Sequence, residues 1–557
     1  LTSNFSRINN NQSQFSNAST LTKYRLAVST NGQYTSYHGG TVAGALAGIN
    51  ATLTHVNAIF ERDFGVTLEL IGNNDLIIYT DFATDPYSDP GSGEIVWDLP
   101  LNSQLQSNLD AVIGSANYDH GHMFSTISCG NGGCGNAGAI GGFCNDMAKG
   151  SAWSDSLQPE GSNFTTLVAH EIGHQVGANH TFSNRSEGTG KNVEPGSGTT
   201  VMSYAGVTGS NNVALQGDDY FHHVSIEQTL AYLQNQSCHI DTPNENNLPV
   251  VEDIPDRTVP ILTPFILSGS ATDEDSDDVL SYTWEQIDNG VVTDTSFGPK
   301  NRSGANFRSL PPSSTGERYM PKLSSVLSGN LTLEDPNTLS TWETLSSVPR
   351  DLNFGFTVRD NAVGGGGVAQ KTMKVSVVDT DGAFRVTSPA SEQVYLANTN
   401  HTVSWNVAGT NLDPILADKV TITLSADGGL TYPYALASDV ENDGSHEVVM
   451  PNFVTNDARV RVQPNNDNIF YAINNQSFAL TRKDIILSTE QYDYTVCSAQ
   501  STEVSLTYGT SSEYSDTAAL SASDLPTALS VGFSPTSVST NGTVINATIA
   551  AGADIAA

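Results

Sequence analysis

The chain is 557 residues long, 38% hydrophobic and 15% charged, with a formal net charge of -36 from 59 acidic against 23 basic residues. That length predicts three or four domains, with enough apolar residues to pack separate cores. The acidic balance excludes nucleic acid and anionic membrane surfaces, whose phosphates would be repelled, and no apolar run approaches a membrane span. In chain order, Tyr24-Arg25-Leu26-Ala27-Val28-Ser29 alternates as a strand. From Thr41 a long helix is predicted, with Val42, Leu46, Ile49, Leu53, Val56 and Phe60 on one stripe. Thr67 to Ile71 and Leu76 to Tyr79 read as two further strands.

Next, Phe164 to Ala169 is apolar enough for a buried helix that Ser162 or Asn163 can cap. It leads into His170-Glu171-Ile172-Gly173-His174-Gln175-Val176-Gly177-Ala178-Asn179-His180. Residues four apart share a helix face, so His170 and His174 can hold one metal ion. Glu171 sits one step round the helix, which suits a base beside the metal. Gly177 can adopt a left-handed conformation, which ends the helix and returns His180 as third ligand. Three neutral imidazoles suit zinc and leave one position for a water whose pKa zinc brings to about 7. The spacing therefore predicts a zinc metallopeptidase with Glu171 as general base.

The segment Pro195 to Gly206 follows a polar, Gly-rich loop and sets Met202 in a turn, two residues before Tyr204. Together with the histidine cassette it resembles the metzincin zinc metallopeptidases. The resemblance covers about Lys23 to Cys238 and is closest to the reprolysin-like (adamalysin-like) proteases of secreted bacterial proteins. It implies an α/β (α+β) catalytic domain with a mixed five-stranded sheet over residues 1–242. Met202 is then the hydrophobic base under the metal, and Tyr204 a switchable fifth zinc ligand and a donor to the oxyanion. Asp119 to Thr126 resembles the strand before the edge strand. Ala137 to Phe143 resembles the edge strand itself, so Gly138, Ala139, Ile140 and Gly141 are expected to pair with an extended peptide substrate. Cys144 and Cys238 occupy positions that resemble a family disulfide. A secreted or cell-surface bacterial protein made with an inhibitory propeptide is also implied. Where adamalysins usually carry Asp after the third histidine and Pro two past the Met, this chain has Thr181 and Tyr204, as on the pappalysin or astacin side of the clan.

Five cysteines fit an oxidising compartment with few staples. Cys129 and Cys134 flank a Gly-rich loop flexible enough to close a local bridge, and Cys497 is left over. His120, His122, His222 and His223 read as surface or core histidines. After Cys238 short alternating strands between Gly, Pro, Asn and Asp turns predict all-β Ig-like sandwich modules. A polar linker at Pro243 to Asn247 precedes modules over 248–381 (Ig-like or PKD-like) and 382–482 (fibronectin-like or Ig-like), then a partial β module over 483–557. Asp273, Asp275 and Asp277 alternate as a calcium loop would require, without the closing Gly and Glu of an EF-hand. The function expected is a monomeric secreted zinc endopeptidase acting on proteins and peptides. The alternative is an adhesion or matrix-binding protein with a vestigial peptidase domain.

Overall fold

The alternating apolar residues of Thr20–Thr30 form β1, the strand around which the N-terminal sheet assembles, with Tyr24, Leu26, Ala27 and Val28 fully buried. The computed structural model describes residues 20–553 apart from 89–98, 128, 130–132, 391–393, 466, 483, 492, 511–513 and 515. After a short helix α1 (Gly32–Tyr37), α2 (Val42–Phe64) starts where the Thr41 hydroxyl accepts the Gly44 N–H. It stops at Gly65, whose φ of 65° only glycine adopts at little cost. By length and composition alone α2 could cross a membrane, although no apolar run stood out in the sequence. Its Ile49, Leu53, Val56 and Phe60 instead share a core with Val168 and Ile172.

Then come β2 (Val66–Leu70), α3 (Leu101–Val112), β3 (His120–Ser125), β4 (Cys134–Asn136) and β5 (Ala152–Asp155). They are followed by α4 (Gly161–Gln175), α5 (His223–Leu233) and β6 (Ile240–Pro243). Strand order is β2-β1-β3-β5-β4, with only β4 antiparallel along that path. The sheet has six strands rather than the expected five, because β6 returns to pair antiparallel with the start of β1. The expected strand at Leu76 to Tyr79 is a short 3-10 turn over Asn74–Ile77, and only Ile78 bridges β1, at Thr30. The helix α4 begins at Gly161, earlier than Ser162 or Asn163 could cap, and without a side-chain cap.

From Val250 onward the regular elements of the described residues are strands, apart from a short helix at Leu323–Leu327. The second module comprises β7 (Val250–Val251), β8 (Arg257–Pro260), β9 (Phe265–Ser268), β10 (Ala271–Thr272), β11 (Ser281–Gln286), β12 (Glu317–Met320), β13 (Arg350–Arg359) and β14 (Val368–Val378). Its main sheet runs β11-β13-β14-β8. One hydrophobic core joins its Leu267, Trp284 and Phe356 to Trp405, Ile422 and Phe478 further along the chain. Strands between residues 485 and 551 form a further four-stranded sheet, with a separate cluster of Tyr508, Val538 and Ile545.

One contact between the N-terminal domain and the second module is a buried ion pair. Arg359 donates from Nε to Asp63 (2.7 Å) and from Nη2 to the Phe221 carbonyl (2.9 Å), and Asp63 also accepts from Arg62 and from the Phe221 N–H. The Pro243 to Asn247 stretch is not a free linker: Asn246 donates to Asp360 and Asn247 to Asp275.

Candidate active site

Each cassette histidine is oriented by a hydrogen bond from its Nδ1. His170 donates to the Val201 carbonyl (2.7 Å), His174 to the Ala178 carbonyl (2.8 Å) and His180 to the Glu187 carboxylate (2.7 Å). Carbonyls can only accept, so Nδ1 carries the proton in the first two rings and Nε2 is left as a lone pair. Burial above all, then the neighbouring imidazoles, holds His170 and His180 well below the ordinary histidine range, so the rings stay in the neutral, metal-binding form. The Nε2 atoms lie 2.9 Å (His174 to His180) and 3.2 Å (His180 to His170) apart. Lone pairs facing one another at that distance repel unless a cation lies between them. Zinc–nitrogen bonds of about 2.05 Å at a tetrahedral angle need nitrogens roughly 3.3 Å apart, so the donor set fits one zinc ion.

The turn back from α4 is made as the cassette implied. Gly177 has φ of 97°, and the Ala178 N–H reaches the Gly173 carbonyl at 3.0 Å. Met202 is fully buried beneath α4, where a Cβ on Gly173 would come within 2.6 Å of its Sδ. The Thr181 N–H donates to the Met202 carbonyl at 3.1 Å, tying the third histidine to the methionine turn. Two carboxylates that no spacing rule marked support this frame. Buried Glu194 accepts from Thr181 and Thr200 hydroxyls and from the Thr199 and Thr200 N–H groups. Glu187, paired with Arg185 (3.2 Å), orients His180 as metal-bound histidines are commonly oriented by carboxylates. Both lie in a Gly- and Ser-rich loop, and only their place before the Met202 turn hinted at a role.

Glu171 is buried beside His170, and burial pushes its carboxyl up to about 8. The edge of the sheet closes over it: a Cβ on Gly135 would come within 2.6 Å of Glu171 Cγ and would press on that side chain. The Tyr204 ring lies 4.5 Å from that of His180, and burial, followed by Glu171 and Glu187, pushes its hydroxyl up to about 12. Two cavities meet at this point. One of about 340 Å³ runs between Leu167, Glu171, Val201, Tyr204 and Leu215. The other, about 440 Å³, is bounded by Gly135 to Ile140, His180 and Glu187.

Two expectations are corrected. The edge strand is β4, not residues 137–143. Gly138 and Gly141 have φ of 70° and 76°, so Gly138, Ala139, Ile140 and Gly141 form a turn, and Gly141 and Gly142 N–H groups cap the α4 carbonyls of His174 and Gln175. The strand beside it, β5, had no place in the sequence reading. Asp273 gathers not with Asp275 and Asp277 but with Asp278 and Asp360, their oxygens within 4.8 Å of one another. Asp275 is instead taken by Asn247. The structure pairs Cys144 with Cys238 and Cys129 with Cys134, although Gly130, Asn131 and Gly132 of the latter loop lie outside the described residues, and it leaves Cys497 free and exposed.

A glutamate beside a three-histidine site, on a helix packed under a mixed sheet whose edge strand borders the cleft, defines a metallopeptidase domain. Residues 20–233, less than half of the chain, match the family model described as Metallo-peptidase family M12B Reprolysin-like, which supports a metallopeptidase domain there. No curated protein matches the chain. Among solved structures, a Bacteroides ovatus mixed-linkage glucan utilization locus protein, SGBP-B, is 14% identical over 56% of this chain and 62% of its own, with a TM-score of 0.16. The chain thus spans less than two thirds of that protein. Clostridium thermocellum CbhA fibronectin(III)-like modules are 11% identical over 42% and 94% (TM-score 0.15), and chicken CNTN1 FN1-FN3 domains 12% over 44% and 71% (TM-score 0.17). Likeness at these TM-scores carries no argument, and the all-β reading rests on the sheets themselves.

Proposed function

We propose that the protein is a secreted zinc-dependent endopeptidase in which His170, His174 and His180 hold the metal and Glu171 is the general base. The observation that carries this is the meeting of two cavities at His170 and Glu171, beside the three clustered imidazoles. A peptide running through both, antiparallel to the edge strand β4, would bring one carbonyl to that junction. Bound zinc supplies Lewis acidity toward that carbonyl and toward water. Glu171 takes the proton from the attacking water and passes it to the leaving amine. Gly135 leaves the space in which that carboxyl sits, and Glu187 and the Val201 and Ala178 carbonyls hold the histidine tautomers.

Tyr204 is read as a donor to the developing oxyanion and as a switchable fifth ligand. Tyr204→Phe is expected to lower kcat about 10²-fold, the scale of losing one oxyanion donor, with smaller changes in KM and zinc affinity. Unchanged turnover would leave Tyr204 a structural role only.

Calcium is assigned to Asp273, Asp278 and Asp360, because Asp273 Oδ2 and Asp278 Oδ2 are buried without a hydrogen-bond partner. The two disulfides support an oxidising compartment, and the same reading takes the protein as a bacterial product made with an inhibitory propeptide and active as a monomer. Casein digestion by the full chain tests it. A zinc-selective chelator should abolish cleavage and added zinc restore it, whereas a calcium-selective chelator should lower the unfolding temperature. A zinc-loaded chain that cleaves nothing would leave the adhesion reading, and an unmoved unfolding temperature would remove calcium.

A further inference from the structure

The chain from Ala205 to Gly217 forms one wall of the 340 Å³ cavity through Ala205, Gly206, Val207, Leu215, Gln216 and Gly217. It has little structure of its own beyond a single 3-10 turn at Gly209–Asn211. Such a loop moves unless something outside it supplies packing. Here the packing comes from the second module. Val213, 1% exposed, is buried against Val292, Phe297 and Trp342, and Phe297 meets Trp342 edge-on at 5.3 Å. The Asp294 N–H donates to Asn211 Oδ1 at 2.8 Å.

The same module bridges the segments on either side of the metal site. The Val292 N–H donates to the Ser183 carbonyl (2.8 Å), three residues past His180, and the Val292 carbonyl accepts from the Gly196 N–H (2.9 Å), ahead of Met202. Ser197 then ties the loop on, donating from N–H to the Asn211 carbonyl (2.8 Å) and accepting the Val213 N–H on Oγ (2.9 Å). Trp342 is fully buried with φ of 52°, which a bulky residue keeps only when its surroundings hold it there. Its ring edge lies against Gly196, where a Cβ would come within 2.9 Å of Cη2.

We infer that the second module is part of the specificity machinery: Val292, Phe297 and Trp342 clamp the Ala205 to Gly217 wall and thereby set which substrate side chain the 340 Å³ cavity accepts. The inference rests on the peptidase reading above and deepens it. These are positioning residues, which touch the loop and not the substrate. Pocket contacts separate neighbouring side chains by only about 10- to 200-fold in kcat/KM, so a wall that slackens loses discrimination before it loses cleavage.

The test is Trp342→Ala in the full chain, with Phe297→Ala as the milder cut into the same cluster should the first not fold. Hydrogen exchange at residues 196–197 and 211–213 is read first, then cleavage of a peptide library varied at each position flanking the scissile bond. Faster exchange at those amides, with the ratio of kcat/KM between best and worst side chains reduced about tenfold, is the expected result. Unchanged exchange in a folded variant overturns the clamp, and faster exchange with unchanged selectivity overturns its role in specificity. Should the unsubstituted chain cleave no library member, the peptidase reading fails, while the exchange measurement still decides whether the module holds the loop.

Discussion

Glu171→Gln is expected to lower kcat/KM on a peptide substrate by about 10²–10⁴-fold while the protein still binds one zinc ion, because it removes a base and leaves the ligands in place. The substitution keeps shape and volume, which matters where the Glu171 side chain lies close against Gly135. The amide cannot take the proton of an attacking water, nor return one to the leaving amine. The histidines are held by groups that the change does not touch: the Val201 and Ala178 carbonyls and Glu187. Metal analysis of the variant alongside its cleavage rate checks both halves. Cleavage within a few-fold of the unsubstituted protein would remove Glu171 as base, and loss of zinc would show that the residue supports the metal site itself.

What could be read from the sequence was local. The i, i+4 spacing of His170 and His174, the left-handed Gly177 and the return to His180 are consequences of helix geometry over a dozen residues, and the structure has them as the spacing implied. The partners of those histidines are set by tertiary packing and left no local trace. Glu187 reaches His180 across an irregular loop, and Glu194 gathers hydroxyls and N–H groups from three different positions. The edge strand was misplaced for a related reason. Glycine alternating with apolar residues over 137–143 imitates a period of two, but positive φ at Gly138 and Gly141 makes it a helix-capping turn. The acidic group is another case, since Asp360 joins Asp273 from a strand end far along the chain while the nearer Asp275 pairs with Asn247. Alternation announced the β modules correctly as all-β. It could not announce that one of them packs against the metal-site loops, because the pairing of Val292 with Ser183 and Gly196 is a property of two domains folded together.

The seam between those domains carries the second large effect. Asp63→Asn is expected to destabilise the chain by about 3–5 kcal/mol, the usual consequence of leaving a buried charge without its partner. Arg359 is fully buried, and its remaining acceptors, the Phe221 carbonyl and the Thr283 hydroxyl, are neutral. Replacing both residues, Asp63→Leu with Arg359→Met, should recover part of the loss, since it removes the orphaned Arg359 charge but leaves Arg62 and the Phe221 N–H without Asp63. The pH dependence follows from the same contacts. Burial alone would raise the Asp63 carboxyl, but the charges and hydrogen bonds of Arg359 and Arg62 outweigh it and hold it down to about 2, below its ordinary 3.8. A depressed carboxylate contributes stability that is fully present above its unfolded pKa and is lost as pH falls through the folded one. The Asp63 contribution, about 2 kcal/mol, should therefore be intact at neutral pH and disappear between about pH 4 and pH 2. Denaturant unfolding of the full chain and of Asp63→Asn across that window measures it. The gap between the two should narrow by about 2 kcal/mol as the pH falls, and a gap that stayed constant would mean that the buried pair does not govern the acid limb of stability.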